Sequence, residues 1–272
     1  MILESKLLSY RDLTRGLGQL GLNRQTPVLV HTSLSAFGGV QGGETTLLGA
    51  LFSTFETVVM PAFTYRTMLI PESGPEHNAS TYGSGKAINR MTEFFSPEMP
   101  VDPLIGVAAE ALRKHPQARR STHPILSFCG LHADEILQSQ NLADPLAPVG
   151  ALSDRRGWVL LLGADQTSNT SIHYAEKIAG RKQFIRWALT PEGVRTCPGF
   201  PGCSDGFEAI TPYLEGMLRL NMIGQAVVQA IPLQDLIALT VGLIQQDPLA
   251  LLCARAGCER CDAVRQAVNN GV

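Results

Sequence analysis

The chain has 272 residues, 44% of them hydrophobic and 17% charged, with a formal net charge of −2. That apolar share supports a sizeable core and excludes a disordered or collagen-like polymer. The near-neutral balance, with no basic excess, argues against nucleic acid or an anionic membrane as a partner.

The first 21 residues, MILESKLLSYRDLTRGLGQLG, carry charge throughout and lack a long apolar run. They predict an amphipathic helix over 5–20 rather than a signal peptide. PVLVHTS (27–33) has the short, branched, apolar character of a buried strand. The glycines of GGVQGG then make a loop. A helix is expected over 44–55, with apolar positions 47, 48, 51, 52 and 55. TVVMPAFT (57–64) is a second buried strand, and the three elements form a βαβ unit. Residues 65–103 hold five prolines and little periodicity. A stretch of that length without pattern is expected to face a substrate, with a short helix near 86–95.

Downstream, 106–116 is expected to be a helix stopped by Pro116. RRSTHPILSFCG (119–130) reads as a turn and a short strand, 131–140 as a helix and 144–153 as a Pro/Gly loop. WVLLLG is a buried strand and 169–179 a helix. FIRWALT and GVRTCPG read as strands or a hairpin. Residues 204–220 are expected to be helical with Ser204 as N-cap. The apolar run 227–244 contains Pro232 and Asp235, so it is rejected as a membrane span. A Cys-rich segment and a last short helix close the chain. Alternating strands and helices give an α/β class, read as a three-layer α/β/α-like single domain with a small Cys-rich C-terminal lobe. Residues 1–195 form the catalytic core with the inserted loop 65–103, and 196–272 form a helical, Cys-rich part of the same domain.

Three segments carry candidate chemistry. VHTSLSAFGGVQGG (30–43) places a Gly-rich turn before a helix, and its backbone amides suit a phosphate. It matches neither a P-loop nor the dinucleotide fingerprint. In NTSIHYAE, Asn169 or Thr170 caps a helix and His173 sits near its first turn, where the dipole disfavours a cation. A neutral imidazole there can accept a proton. Glu176, three residues on, shares that face and either orients the ring or stays free for the substrate. In RRSTHPILSF, Arg119 and Arg120 can hold phosphate or form a solvated basic turn.

Taken in order, VHTSLSAFGGVQGGETTLLGAL, VVMPAFTY, GVAAEALRKHPQARRSTHPILSF, LLLG and NTSIHYAE resemble the aminoglycoside 3-N-acetyltransferase family over about residues 27–215. The resemblance implies an acetyl-CoA-dependent N-acetyltransferase that works by direct transfer. It implies that the acyl-CoA site is lined by His31, Thr32, Ser33, Leu34, Ser35 and Gly38, together with Arg120, Ser121, His123, Ser127 and Phe128. It makes His173 the general base, with Glu176 in the site. The hydroxyls of Thr32, Ser33 and Thr170 and the amides of the Gly loop are candidates to hold the thioester oxygen or the pantetheine arm. Tyr65, Asp205 and Glu208 fall on the substrate side. Loop 65–103 offers only scattered carboxylates, Glu72, Glu76, Glu93, Glu98 and Asp102, so the acceptor is expected to be a small-molecule amine or amino sugar. The alternatives are a longer or carrier-bound acyl thioester, or a non-catalytic CoA-binding module. A metal-dependent hydrolase built on His31, His123 and His173 has no ligand spacing behind it.

Five of the six cysteines lie in the last 76 residues. In a reducing compartment such clustering favours a metal over disulfides. Cys258 and Cys261 have knuckle spacing, and Cys253 with Cys203 completes a tetrahedral thiolate set for a structural zinc ion, with Cys197 as the alternate. The expected location is the cytoplasm, and a homodimer is among the assemblies the sequence allows.

Overall fold

A computed structural model describes residues 7–270. In chain order the elements are α1 (Tyr10–Gly18), β1 (Val28–Thr32), α2 (Gly43–Thr54), β2 (Val58–Pro61), β3 (Met68–Leu69), α3 (Lys86–Asn89), α4 (Val107–Lys114), β4 (Arg119–Arg120) and β5 (Phe128–Leu131). They continue with α5 (Asp134–Gln138), α6 (Ala147–Asp154), β6 (Trp158–Leu162), α7 (Thr170–Ile178), β7 (Phe184–Thr190), β8 (Gly193–Phe200), β9 (Arg219–Ile223), β10 (Ala226–Pro232), α8 (Leu233–Gln246) and α9 (Glu259–Asn269).

Seven strands form the main sheet in the order β4-β5-β2-β1-β6-β10-β9. β1 runs parallel to both β2 and β6, whereas β5 and β10 pair antiparallel on either side. Side chains alternate along the central strands, so each strand feeds two cores. Val28, Val30 and Leu160 face the side covered by Leu13, Leu17, Leu47, Leu51 and Leu112 of α1, α2 and α4. Leu29, Val159 and Leu161 face the other side, with Leu152, Ile172 and Leu236 of α6, α7 and α8. This is the three-layer α/β/α arrangement. A separate antiparallel sheet, β3-β7-β8, adds Phe184, Ala188 and Phe200 to the second core.

Local chemistry explains the boundaries. Ser9 and Asp12 form a capping box at the start of α1, with the Ser9 amide donating to Asp12 Oδ2 at 2.9 Å. The helix begins at Tyr10 rather than at 5, and positions 5 and 6 lie outside the described residues. Loop 65–103 contains the 3-10 turn Tyr65–Thr67, β3 and α3, and α3 is shorter than the helix expected over 86–95. Its strands of chain are tied down by side chains: Asn78 Nδ2 donates to the Ile185 carbonyl at 2.9 Å, and Asn89 Nδ2 to that of Ile70 at 2.8 Å.

Three expectations are corrected. Residues 144–153 are not all loop, because Pro148 sits in the first turn of α6, where a missing N–H costs nothing. Residues 204–220 are not one α-helix. Phe207–Leu214 is a 3-10 helix with Pro212 inside it and Gly206 rather than Ser204 at its cap, and β9 follows. The division at 195/196 falls inside β8. The C-terminal part is not merely helical either, since it supplies β9 and β10 to the main sheet. The apolar run 227–244 splits at Pro232 into β10 and α8, and no described helix is long and apolar enough to cross a membrane.

Candidate active site

A cavity of about 1440 Å³ opens at the carboxyl ends of β1, β2 and β6. Ligands in open α/β sheets gather at such ends, and the volume exceeds what a single small ligand needs.

β1 delivers His31 and Thr32 to the cavity, and Ser33, Leu34 and Ser35 continue the same wall. His31 is buried, and that burial pushes its pKa down to about 3. Its neutral Nε2 accepts from the backbone amide of Thr170 at 3.4 Å, which ties the end of β1 to the start of α7. The Thr32 hydroxyl is buried without a protein partner. Gly39 and Gly43 also line the cavity, so the amino end of α2 stands at its wall. Gly38 does not. It closes the 3-10 helix Leu34–Phe37 with φ at 79° and packs against Gln225.

β6 ends at Gly163, whose φ of 68° turns the chain beneath Ser33 and Ala36. The side chain of Asn169 then caps α7 by accepting from the Ser171 amide at 3.1 Å. This cap aims Thr170 and His173 at the cavity. His173 Nδ1 lies 2.7 Å from Glu176 Oε2. The other oxygen of Glu176 accepts from Arg181 Nη1 at 2.8 Å. Arg181 in turn donates to the carbonyls of Pro248 and Ala250, at 2.8 and 2.7 Å. The Glu176 and Arg181 side chains are 2% and 3% exposed, so the carboxyl group is paired and out of reach of a substrate. Of the two roles open to Glu176, the geometry gives it the orienting one. A carboxylate on Nδ1 fixes the proton there and leaves Nε2 as the basic nitrogen. Phe207 meets the ring edge-to-face, with centroids 4.6 Å apart.

The RRSTHPILSF segment lies elsewhere. Arg120 donates from Nε to Ser127 Oγ at 3.0 Å, and its remaining donors reach the carbonyls of Ala62, Pro97 and Met99. The Ser121 hydroxyl accepts from the Phe128 amide at 2.8 Å. His123 Nδ1 accepts from the amides of Ile125 and Leu126, and burial lowers its pKa to about 4. Arg120, Ser121, His123, Ser127 and Phe128, expected at the acyl-CoA site, are not among the residues that line the cavity: Arg120 and Ser127 tie the segment to Ala62, Pro97 and Met99, and Nε2 of His123 is buried without a partner. His31 and His173 share the cavity and His123 does not.

Tyr65 lines the cavity, and burial followed by the charge of Asp102 raises its pKa to about 12. Asp205 and Glu208 do not line it. Asp205 pairs with Arg255 at 3.2 Å, and Glu208 accepts from the Gln166 amide at 3.0 Å. Sequence reasoning missed the rest of the wall, above all Ile105, Arg186, Pro201 and Arg260. It also missed Arg181, which no local spacing marks. The chain turns back at Gly180, whose φ is 80°, and brings Arg181 against the helix it has just left.

Beside the cavity, the Sγ atoms of Cys203, Cys253, Cys258 and Cys261 all lie within 4.8 Å of one another. Cys197 is apart from them, buried in β8 with its thiol toward the Arg195 carbonyl.

The family model of the aminoglycoside 3-N-acetyltransferases matches residues 29–245. The chain is 34% identical over 230 residues to aminoglycoside N(3)-acetyltransferase VII of Streptomyces paromomycinus, covering 78% of each. It is 35% identical over 190 residues to the SPbeta prophage-derived aminoglycoside N(3')-acetyltransferase-like protein YokD of Bacillus subtilis. That match covers 61% of this chain and 64% of the relative, so it spans under two thirds of that protein's length. The crystal structure of the apoenzyme of aminoglycoside acetyltransferase AAC(3)-IVa has the same fold, with a TM-score of 0.80 at 26% identity over 97% of this chain and 99% of that one. The chain belongs to the aminoglycoside 3-N-acetyltransferase family.

Proposed function

We propose that this protein transfers the acetyl group of acetyl-CoA to a primary amine of a small-molecule acceptor of the amino sugar or aminoglycoside class, with His173 as general base. The observation that carries the reading is His173 on the wall of a cavity with room for two ligands, held from behind by the buried pair Glu176–Arg181. A neutral amine attacks the thioester carbonyl, and the nitrogen must shed a proton as it becomes an amide. Nε2 of His173 takes that proton, and the thiolate of CoA leaves. Holding both reactants in one cavity supplies much of the acceleration. In this reading the polar groups of Ser33 and Thr170 on the cavity wall would stabilise the thioester oxygen as it gains charge, whereas the Thr32 hydroxyl is buried behind them. No cysteine stands among the described lining residues, which favours direct transfer over an acyl-enzyme.

The same reading includes a structural zinc ion at Cys203, Cys253, Cys258 and Cys261. A tetrahedral zinc–thiolate site places sulfurs about 3.8 Å apart, so the four thiols fit with a small contraction. Two donors point at the sulfurs: the Asp205 amide to Cys203 at 3.5 Å, and Arg255 Nη2 to Cys258 at 3.7 Å. Such outer contacts support metal-bound thiolates. Reduced thiols and an acetyl-CoA donor fit a cytoplasmic protein.

The test is calorimetric titration with CoA and acetyl-CoA, followed by thiol release in the presence of amines, with His173→Ala as control. Micromolar binding and His173-dependent release are expected. Absence of binding by either nucleotide, or full release by the variant, refutes the assignment.

A further inference from the structure

Two guanidinium groups stand on the cavity wall, Arg186 and Arg260. Arg186, on β7, is held by its donations to the carbonyls of Asn78, Ile185 and Ala79 at 3.0, 2.8 and 3.2 Å. It lies over the rings of Phe184 and Phe200. Arg260 stands between Cys258 and Cys261 at the start of α9, and its Nη1 donates to the Gly202 carbonyl at 2.8 Å. The cysteine cluster therefore fixes the base of Arg260 while leaving most of its donors uncommitted. Neither arginine pairs with a carboxylate among the described residues. Asp165 is the one carboxylate among the described lining residues, and its Oδ1 accepts from the Thr167 amide at 3.0 Å. His31 is neutral. The fixed charge of the wall is therefore cationic.

That charge bears on the acceptor. A polycationic amine entering this cavity meets like charges and finds few carboxylates to receive its ammonium groups. An acid group finds an Arg fork that suits it. We propose that Arg260, with Arg186 beside it, receives a carboxylate or phosphate carried by the acceptor, so that the preferred acceptor is an acidic amino sugar or another zwitterionic amine. The proposal rests on the transferase reading above. A phosphate of CoA is the other source of the same chemistry. The two sources are told apart by CoA affinity, which depends on Arg260 only if the anion is a phosphate of CoA.

The full-length, metal-loaded protein is assayed by thiol release with glucosamine, glucosamine 6-phosphate and kanamycin. Calorimetric binding of the same three amines to the CoA complex gives a readout that needs no turnover. The phosphorylated sugar is expected to be preferred over glucosamine by about tenfold or more, the scale of one charge-assisted hydrogen bond, and the preference shrinks with added salt. Arg260→Ala collapses the preference, Arg260→Lys restores part of it, and the affinity for CoA is unchanged in both. Kanamycin used or bound as well as the phosphorylated sugar would overturn the proposal. So would an Arg260→Ala variant with weakened CoA affinity and unaltered acceptor preference, since the anion would then be a phosphate of CoA. Failure of the wild type to bind CoA at all would instead sink the transferase reading.

Discussion

Nδ1 of His173 lies 2.7 Å from Oε2 of Glu176, one helical turn away on α7. The pair sets the ring so that its second nitrogen is the one available to a substrate. His173→Gln is expected to lower kcat by 10²- to 10⁴-fold, the usual contribution of a general base. Glu176→Gln keeps the side-chain shape but no longer dictates which nitrogen holds the proton. It is expected to lower kcat by a smaller amount, on the order of tenfold. In both variants the Kd for CoA should stay near that of the wild type. Steady-state kinetics together with calorimetry separates the two parameters, and a fall in CoA affinity matching the fall in kcat contradicts the assigned role.

Metal removal tests the thiolate site. The purified protein is expected to carry about one zinc per chain by elemental analysis, as a four-thiolate site holds a single ion. Cys258→Ser or a strong chelator should lower the melting temperature by roughly 5 °C, corresponding to about 3 kcal/mol for a chain of this size. Cys197→Ser, outside the cluster, should retain the metal. A metal-free protein indifferent to chelator is incompatible with the site.

Two buried histidines predict an acid limit to stability. Burial holds His31 near pKa 3 and His123 near 4, whereas both take the ordinary value of about 6.5 once unfolded. Below that value the unfolded chain binds protons that the folded chain refuses. Stability is thus level above about pH 6.5 and is lost as the pH falls toward the folded values, by up to about 1.4 kcal/mol per pH unit for each residue. Urea unfolding between pH 8 and 4.5 measures this. His123→Asn, which keeps an acceptor near the Ile125 and Leu126 amides, should flatten the slope. An unchanged slope would assign the acid sensitivity to other groups.

Gly163 joins the two halves of the site. A Cβ there would approach Ala36 Cβ to 2.5 Å, and the φ of 68° is unfavourable for any L side chain. Gly163→Ala is expected to cost about 1–3 kcal/mol. It should also displace the loop after β1 from the start of α7, lowering activity more than stability alone explains. Denaturant unfolding and kcat/KM on the same preparation compare the two effects. A variant as stable and active as the wild type would mean the junction has slack.

The parts legible in the sequence are those set by local pattern. β1, α2, β2, β6, α7 and the β7–β8 hairpin follow from runs of branched apolar residues, Gly turns and an Asn cap. His173 and Glu176 were readable because they lie on one turn of one helix. The residues that escaped are those placed by closure in space. Arg181 reaches Glu176 only because the chain reverses at Gly180, and Arg260 reaches the cavity only through the fold of the cysteine segment. The polar string Arg120–Ser121–His123–Ser127 has the composition of a ligand-binding segment, yet Arg120 and Ser127 spend their donors on neighbouring backbone carbonyls and Ser121 and His123 accept from their own turn. β9 and β10 carry no local signal for strand, because Leu, Met, Ala and Gln suit either state. Pairing with β6 decides for strand.

β6, which leads directly into the His173 helix, is hydrogen-bonded on one side to β1 and on the other to β10, residues Ala226–Pro232. During synthesis the ribosome releases β1 and β6 long before β10. Since domains fold as units once their chain has emerged, the catalytic sheet must wait with an open edge until the last fifth of the polypeptide is made. An unpaired edge is a template for wrong partners. A nascent chain stalled after α7 would therefore be prone to aggregate rather than weakly active, so fusions and truncations that interrupt β9 or β10 disable the whole sheet and not merely its edge.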